Sequence, residues 1–459
     1  MTPDNAKQSL SAELDAFLET LPRTEFAEGY VIDINGIMRG KRLPTASLPG
    51  IYDKGLCLPA STLLLDIRGQ DVEATGLISD TGDGDHYCHP VPGSLRPLPW
   101  SRRPAGQFFM QMFTPEGEPF AGDSRTVLKR VLDRLDRRGL KPVVAAELEF
   151  RLFDPELDER GRPRPAAGTS VSGGCSQLFG LDELNRLDAF LADVESACAE
   201  QELPIDTLIS EQGEGQYEIN LNHVPDALLA ADQATLLKRT IKACAESHGM
   251  AASFMAKPYG DSSGNGLHLH TSLLDAQGDN VFAEAGEPSE LLMQAVAGLL
   301  ETMPDATALF APHANSYRRF QPGSHAPMTP TWGIDNRTTA LRLPLAAPAA
   351  MRVEHRVAGA DANPYLVLAA ILAGMEHGMA QALTPPSETR GSGYDLENSV
   401  RALPDDWGAA LARFEQSEFI ADYLGSQYQS WYSACKRQER EWLRSVVPAS
   451  EYELYLRTV

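Results

Sequence analysis

Apolar and polar residues alternate with a period of two along Ala145-Ala146-Glu147-Leu148-Glu149-Phe150-Arg151-Leu152-Phe153. Leu148, Phe150 and Leu152 fall on one side, so the stretch predicts a strand with an apolar and a polar face. Glu147 and Glu149 share the polar face, about 7 Å apart at a rise of about 3.3 Å per residue. The same alternation recurs four times. It places Glu218 with Asn220 and Asn222, His268 with His270, Arg342 between two leucines, and Arg352 with Glu354 and Arg356. One such strand is commonly a solvated sheet face, and one strand histidine is commonly just packed. Five in one chain call for another account.

Stripes of period 3.6 predict helices between these strands. They cover 9–21, closed by Pro22; a stretch capped by Ser124 (Val127, Leu128, Val131, Leu132, Leu135); 181–202; 226–248; and the chain from Asn363 to its C-terminal end. Asn35-Gly36, between Tyr30–Ile34 and Ile37–Lys41, predicts a tight hairpin. Residues 50–113, rich in Gly, Pro and Asp, read as strands and long loops, and a polar, Gly/Pro-rich loop follows the Glu147/Glu149 strand through about Gly174. Pro115-Glu116-Gly117-Glu118-Pro119 predicts a boundary between a small mixed domain (1–114) and a larger one (115–459). No internal repeat and no low-complexity run is present.

Length and charge sharpen this. At 459 residues, two or more domains are expected. Asp and Glu total 63 against 40 Lys and Arg, a net charge of −23 that repels nucleic-acid backbones and anionic lipid. Neither nucleic acid nor a membrane is therefore expected as a partner. The six cysteines are scattered with no Cys-x-x-Cys spacing, which predicts reduced thiols and a cytoplasmic protein. No signal peptide and no membrane-length apolar run is seen.

If the five strands share one sheet, its polar face holds Glu147, Glu149, Glu218 and Glu354, His268 and His270, and Arg342, Arg352 and Arg356. Such a set cannot be buried unneutralised. Clustered carboxylates with one imidazole per ion suit Mg²⁺ or Mn²⁺, and arginines beside them suit a polyphosphate. No Gly-x-x-x-x-Gly-Lys-Ser/Thr loop and no Gly-x-Gly-x-x-Gly after a strand occurs. ATP, if used, is held by arginines and metals.

These residues carry a resemblance. Ala146–Phe150, Glu211 with Gly215-Gln216-Tyr217-Glu218, Lys257-Pro258, Gly266–His270, Asn315–Arg319, Asn336-Arg337, Arg352–Arg356 and Asp361–Tyr365 stand in the order and spacing of the glutamine synthetase superfamily. The chain resembles that family over nearly its whole length. Its Asn35–Arg42 hairpin resembles the glutamate–putrescine ligase (gamma-glutamylpolyamine synthetase) branch. The resemblance implies an α+β fold, with a small N-terminal β-grasp domain and a large catalytic domain on a curved antiparallel sheet. It also implies a homo-oligomer, a dodecamer of two hexameric rings with sites between subunits.

Position by position, it implies one metal site of Glu149, Glu211 and Glu218 and a second of Glu147, His268 and Glu354. Asp206, His270, Ser272, Arg342 and Arg352 fall where ATP is contacted. Gly264, Arg319 and Arg356 fall where L-glutamate is held, and Arg337 where the transferring phosphoryl group is stabilised. The implied chemistry has two steps: ATP phosphorylates the glutamate side chain, and an amine displaces phosphate. Two departures bear on the amine. Ammonia-using members carry a Glu in a Pro-Gly-x-Glu-Ala-Pro loop; here it reads Pro322-Gly323-Ser324-His325-Ala326-Pro327. Where they carry Asp-Gly-Ser-Ser, the chain reads Leu58-Pro59-Ala60-Ser61. A neutral imidazole accepts a proton but offers no permanent negative charge, so His325 is a candidate base for an amine, not a trap for ammonium. The expectation is an ATP-dependent glutamate–amine ligase. Its alternatives are an ammonia-using glutamine synthetase and a non-catalytic scaffold, the latter having no need of a complete metal set.

Overall fold

Residues 26–113 build one sheet and residues 141–355 another in the computed structural model, which describes residues 3–169, 177–394 and 402–459. The first sheet consists of β1 (Phe26–Ile32), β2 (Met38–Pro44), β3 (Leu56–Pro59), β4 (Asp85–Pro90), β5 (Arg96–Pro97) and β6 (Ala105–Phe113). Its order is β2-β1-β6-β4-β3, with β5 on β6 and with β1 and β6 parallel. The helix Leu48–Lys54 was not legible as a stripe because it is only 7 residues long. Pro49 near its start and Gly55 just past its end bound it, the usual asymmetry.

The Asn35-Gly36 hairpin forms, but not as a two-residue turn. Asp33 and Ile37 close it (Asp33 N–H to Ile37 O, 3.0 Å), Gly36 N–H reaches Asp33 O, and only Gly36 takes a positive φ, of 75°. The buried Asp33 carboxylate dictates this, accepting the N–H groups of Asn35 and Ile37 at 2.9 Å and Arg39 Nε at 2.9 Å. The loop is then tied to the rest of the chain. Asn363 Nδ2 donates to Asp33 O (3.0 Å) and Lys436 Nζ to Asn35 Oδ1 (2.5 Å).

The second sheet contains β7 (Lys141–Phe153), β8 (Ile205–Ser210), β9 (Gln216–Leu221), β10 (Ala251–Ser253) and β11 (Leu267–Leu274). After a separate small hairpin, β12 (Ala283–Glu284) with β13 (Glu287–Pro288), it is completed by β14 (Trp332–Ile334), β15 (Leu341–Leu343) and β16 (Val353–His355). The order is β14-β15-β16-β11-β7-β9-β8, with β10 against β7. The five two-faced stretches are thus neighbours, β15-β16-β11-β7-β9, and antiparallel throughout. Leu148, Phe150, Leu152, Leu267 and Leu269 on the opposite face are buried in the core. Helices 290–310 and 364–380 pack on each other closely enough that a Cβ on Gly298 would lie 2.2 Å from Gly374 O. The α+β architecture read from the sequence is the observed one.

Details differ. The helix after residue 123 is capped by Asp123, whose carboxylate accepts Arg125 N–H at 2.8 Å. Ser124 is its first residue, buried, with its hydroxyl taken by Asn363 Nδ2. The helical stretch 181–202 breaks at Leu187, and the strand expected over 351–357 is regular only at 353–355. The end of the loop expected to reach Gly174 lies outside the described residues. Among the described residues no helix is long and apolar enough to cross a membrane. Cys57, Cys88, Cys198, Cys244 and Cys435 are free thiols, and Cys175 lies outside the described residues.

Candidate active site

Strand register turns the alternation into a site. Glu147 lies between His268 on β11 and Asn220 on β9, and Glu149 lies opposite Glu218. On the other side, Glu354 stands between His270 and Arg342. The five strands therefore form rungs of acid, imidazole and guanidinium across one face. These side chains meet as cross-strand neighbours rather than along the chain.

His268 bridges the two glutamates of β7. Its Nδ1 lies 3.3 Å from Glu147 Oε2 and its Nε2 3.9 Å from Glu149 Oε1. His270 is fixed differently. Arg352 Nε donates to its Nδ1 at 3.1 Å, so Nε2 carries the proton and donates to Glu147 Oε1 at 2.8 Å. Glu354 is 1% exposed, with one oxygen on Arg342 Nη1 (2.7 Å) and the other on Arg356 Nη1. Arg342 also holds Asp335 through Nε at 2.9 Å.

The carboxylates divide electrostatically. Burial works to raise Glu354, but Arg356, His270 and His268 outweigh it and hold the carboxyl at about 2. Burial is likewise outweighed at Glu147 by hydrogen bonds from His268 and His270, which keep it well below the usual range. Glu218 moves the other way, pushed well up by burial and then by Glu147, Glu149 and Glu211. Burial and Glu149 raise Glu211 to about 7, with Arg337 opposing. One end of the face is thus internally neutralised, while the other holds crowded acids that favour any added positive charge.

Both ends open into one cavity of about 360 Å³. Glu147, Glu149, Glu211, Glu218, Gly264, His268, His325, Arg337, Arg342, Glu354 and Arg356, all singled out from the sequence, line it. The other candidates lie outside the lining. His270 and Arg352 are reached through Glu147. Arg319 is buried behind Gly264, where a Cβ would meet its Cγ at 2.7 Å, and Nη1 donates to Val357 O. Asp206 is exposed at a bulge in edge strand β8, and Ser272 is half-buried further along β11.

Two groups offer a metal its donors. The ligand atoms of Glu147, His268 and Glu354 lie within 4.8 Å of one another, as do those of Glu149, Glu218 and His268. Both are two carboxylates and an imidazole, a donor set that fits a hard divalent ion. Glu211 shares the cavity wall but belongs to neither group, and His268 belongs to both.

Several residues at the site were not among the candidates named from the sequence. Leu178, Phe179 and Ile209 give one wall an apolar character, and Phe179 is 59% exposed. His223 follows β9, with its ring 6.2 Å from that of His270. Arg151 and Gln216 lie behind Glu149. Loops position Leu178, Phe179 and His223, Ile209 lies on edge strand β8, and Arg151 and Gln216 share the polar faces of β7 and β9 with the glutamates. Arg151 was visible only as one more charge on the polar face.

The geometry agrees with what the chain is similar to. Residues 121–455 match the family described as the glutamine synthetase catalytic domain. The chain is 41% identical over 452 residues to gamma-glutamylputrescine synthetase PuuA of Escherichia coli (strain K12), covering 98% of this chain and 95% of that one. It is 32% identical over 409 residues to gamma-glutamylethanolamide synthetase GlnA4 of Streptomyces coelicolor, covering 89% and 87%. Among solved structures, a GmaS/ADP complex superposes with a TM-score of 0.84 at 29% identity, covering 96% of this chain and 99% of that one.

Proposed function

The chain belongs to the glutamine synthetase family, and from that membership we propose that it joins an amine to the γ-carboxylate of L-glutamate with ATP as co-substrate. One observation carries the amine over ammonia. The cavity that gathers the metal-competent glutamates is bounded by Leu178, Phe179 and Ile209 and by His325, the residue that replaces the loop glutamate of the Pro-Gly-x-Glu-Ala-Pro pattern. An apolar wall and an imidazole suit the carbon chain of an amine such as putrescine or a monoamine.

Enzymes of this family use ATP and divalent metals. Glu147, His268 and Glu354 would hold one Mg²⁺ or Mn²⁺, and Glu149 and Glu218, with Glu211 on the same wall, another. Ions bound there supply charge neutralisation for phosphoryl transfer. Arg342, Arg352, His270, Ser272 and Asp206 would bind ATP. Arg337, exposed on the cavity wall, would face the transferring phosphoryl group. The glutamate γ-carboxylate attacks the γ-phosphorus, ADP leaves, and the amine nitrogen then attacks the acyl phosphate, loses a proton and expels phosphate. Gly264, Arg319 and Arg356 would orient the amino acid. In support, Arg319 is buried without any ion pair among the described residues, an arrangement that favours a carboxylate ligand.

The test is a panel of polyamines, monoamines and ammonium scored by phosphate release, with glutamate and ATP fixed. A primary amine is expected to exceed ammonium clearly. Robust glutamine formation at low millimolar ammonium would instead make the protein a glutamine synthetase proper. Dependence of phosphate release on added Mg²⁺ or Mn²⁺ is the companion measurement.

We take residues 1–114 as a β-grasp domain and 115–459 as the catalytic domain of a cytoplasmic ring assembly. Two features support assembly. Leu58 is buried within its own sheet, and residues 58–61 do not line this chain's cavity, so any role in amine binding is at a neighbour's. The C-terminal end exposes Val446, Val447, Leu454, Leu456 and Val459, apolar surface that another subunit would cover. Sedimentation at assay concentration is expected to show ring-sized particles, two hexamers stacked. A fully active monomer would contradict this.

A further inference from the structure

We propose that Gln216, locked by Arg151, is a positioning residue that decides which oxygen of Glu149 is presented to a divalent ion. This rests on the metal reading above. Glu149 Oε2 is taken by two donors, Gln216 Nε2 at 3.1 Å and Gly266 N–H at 2.8 Å. Oε1 is the oxygen left toward His268 Nε2. A carboxylate on a strand turns freely about its last bond, so an ion site built on it needs one oxygen pinned.

Gln216 is itself unable to turn. Its Oε1 accepts Gly213 N–H at 3.0 Å and the Ser263 hydroxyl, which fixes the amide orientation. Its Nε2 therefore faces Glu149, Gly264 O (2.8 Å) and Asn265 Oδ1 (3.2 Å). Flipping the amide would put its oxygen against a carboxylate and a carbonyl. Three acceptors converge on one NH₂ group, and Glu149 is the only charged one.

Arg151 closes the two turns on this amide. It is 1% exposed, and Nη1 donates to Glu214 O at 2.9 Å. Its Nη2 donates to Ser262 Oγ and Ser263 O, both at 2.7 Å. Residue 213 must be glycine for this, because a Cβ there would stand 2.0 Å from Nη2. The planar fork thus joins the turn after Glu211 to the turn that carries Gly264 and Gly266. Arg151 makes no ion pair among the described residues, so its part is placement rather than charge pairing.

The test is Mn²⁺ binding to the full chain without ATP, read from the electron paramagnetic resonance of free Mn²⁺. Native protein is expected to bind two ions. Gln216→Met, close in shape but without the amide, should weaken one of them by roughly 10–100-fold and leave the other nearly unchanged. Arg151→Met should weaken the same ion, and Arg151→Lys should recover part of the loss. Equal weakening of both ions, or none in a variant that melts like the native protein, would overturn the proposal. If the methionine variants do not fold, Ser263→Ala decides. It removes the hydroxyl that donates to Gln216 Oε1 and accepts from Arg151 Nη2 at 3.4 Å, so a smaller loss confined to one ion supports the proposal and no loss overturns it. Native protein that binds no Mn²⁺ would overturn the metal reading itself.

Discussion

Glu149→Ala and Glu354→Ala are each expected to abolish ATP-dependent phosphate release with every amine offered, by about 10³-fold or more, yet only Glu354→Ala is expected to lower stability strongly. The loss of activity follows from removing a carboxylate from each metal-competent group. Losing about 4 kcal/mol of charge stabilisation in phosphoryl transfer is about 10³ in rate. The stability effects differ because the two glutamates sit at electrostatically opposite ends of the face. Glu149 crowds Glu211 and Glu218 and raises both. Removing it relieves that repulsion, which offsets the loss of the hydrogen bonds from Gln216 Nε2 and Gly266 N–H, so the metal-free protein should melt close to the native one. Glu354 is the partner of Arg356, itself 6% exposed. Removing it strands a buried guanidinium, destabilising by about 3–5 kcal/mol. Thermal melts without metal, beside phosphate-release assays, check both halves. Near-native turnover in either variant would sink the two-metal assignment. A melting point for Glu149→Ala as low as that of Glu354→Ala would refute the crowding argument.

The contrast between those two glutamates marks where sequence reading ended. Alternation identified which side chains share a face, because a period of two is a local property of each strand. It could not say that Glu354 faces Arg342 and His270 while Glu149 faces Glu218, since register between distant strands is set by the packed core beneath. The resemblance grouped Glu211 with Glu149 and Glu218. The structure has Glu211 on the cavity wall and His268 completing the close group, because Glu211 precedes β9 and enters from a turn. Caps and turns misled in a common way. Ser124 and Asn35-Gly36 were sound local signals, and in each case a neighbouring buried aspartate, Asp123 or Asp33, made the stronger backbone hydrogen bonds. Arg151 was legible only as a charge. That a cation should serve as a bracket for carbonyls depends on two turns that approach it from 63 and 112 residues away.

His325→Ala is expected to lower amine-dependent turnover by roughly 10²-fold, the scale of lost general-base help, with metal binding intact. An alkylamine has a pKa of about 10, near that of lysine, and reaches the site as a cation. It must lose a proton before its nitrogen can attack the acyl phosphate. His325 is exposed on the cavity wall and can accept that proton as a neutral imidazole. Its backbone complicates the alanine test. His325 has φ 57°, in the left-handed region, where alanine is strained and glycine is not. His325→Gly therefore removes the imidazole while keeping the loop at ease. If proton transfer is the role, both variants should fall by a similar factor. If alanine falls and glycine turns over its amine at the native rate, the loop conformation matters and the imidazole does not. The native protein should in any case use ammonium poorly, since no carboxylate in the Pro322–Pro327 loop is available to hold it. A His325→Glu variant then gives the converse result. Restoring a permanent negative charge at that position should improve ammonium use relative to the best primary amine, and an unchanged ratio would remove the loop from amine selection.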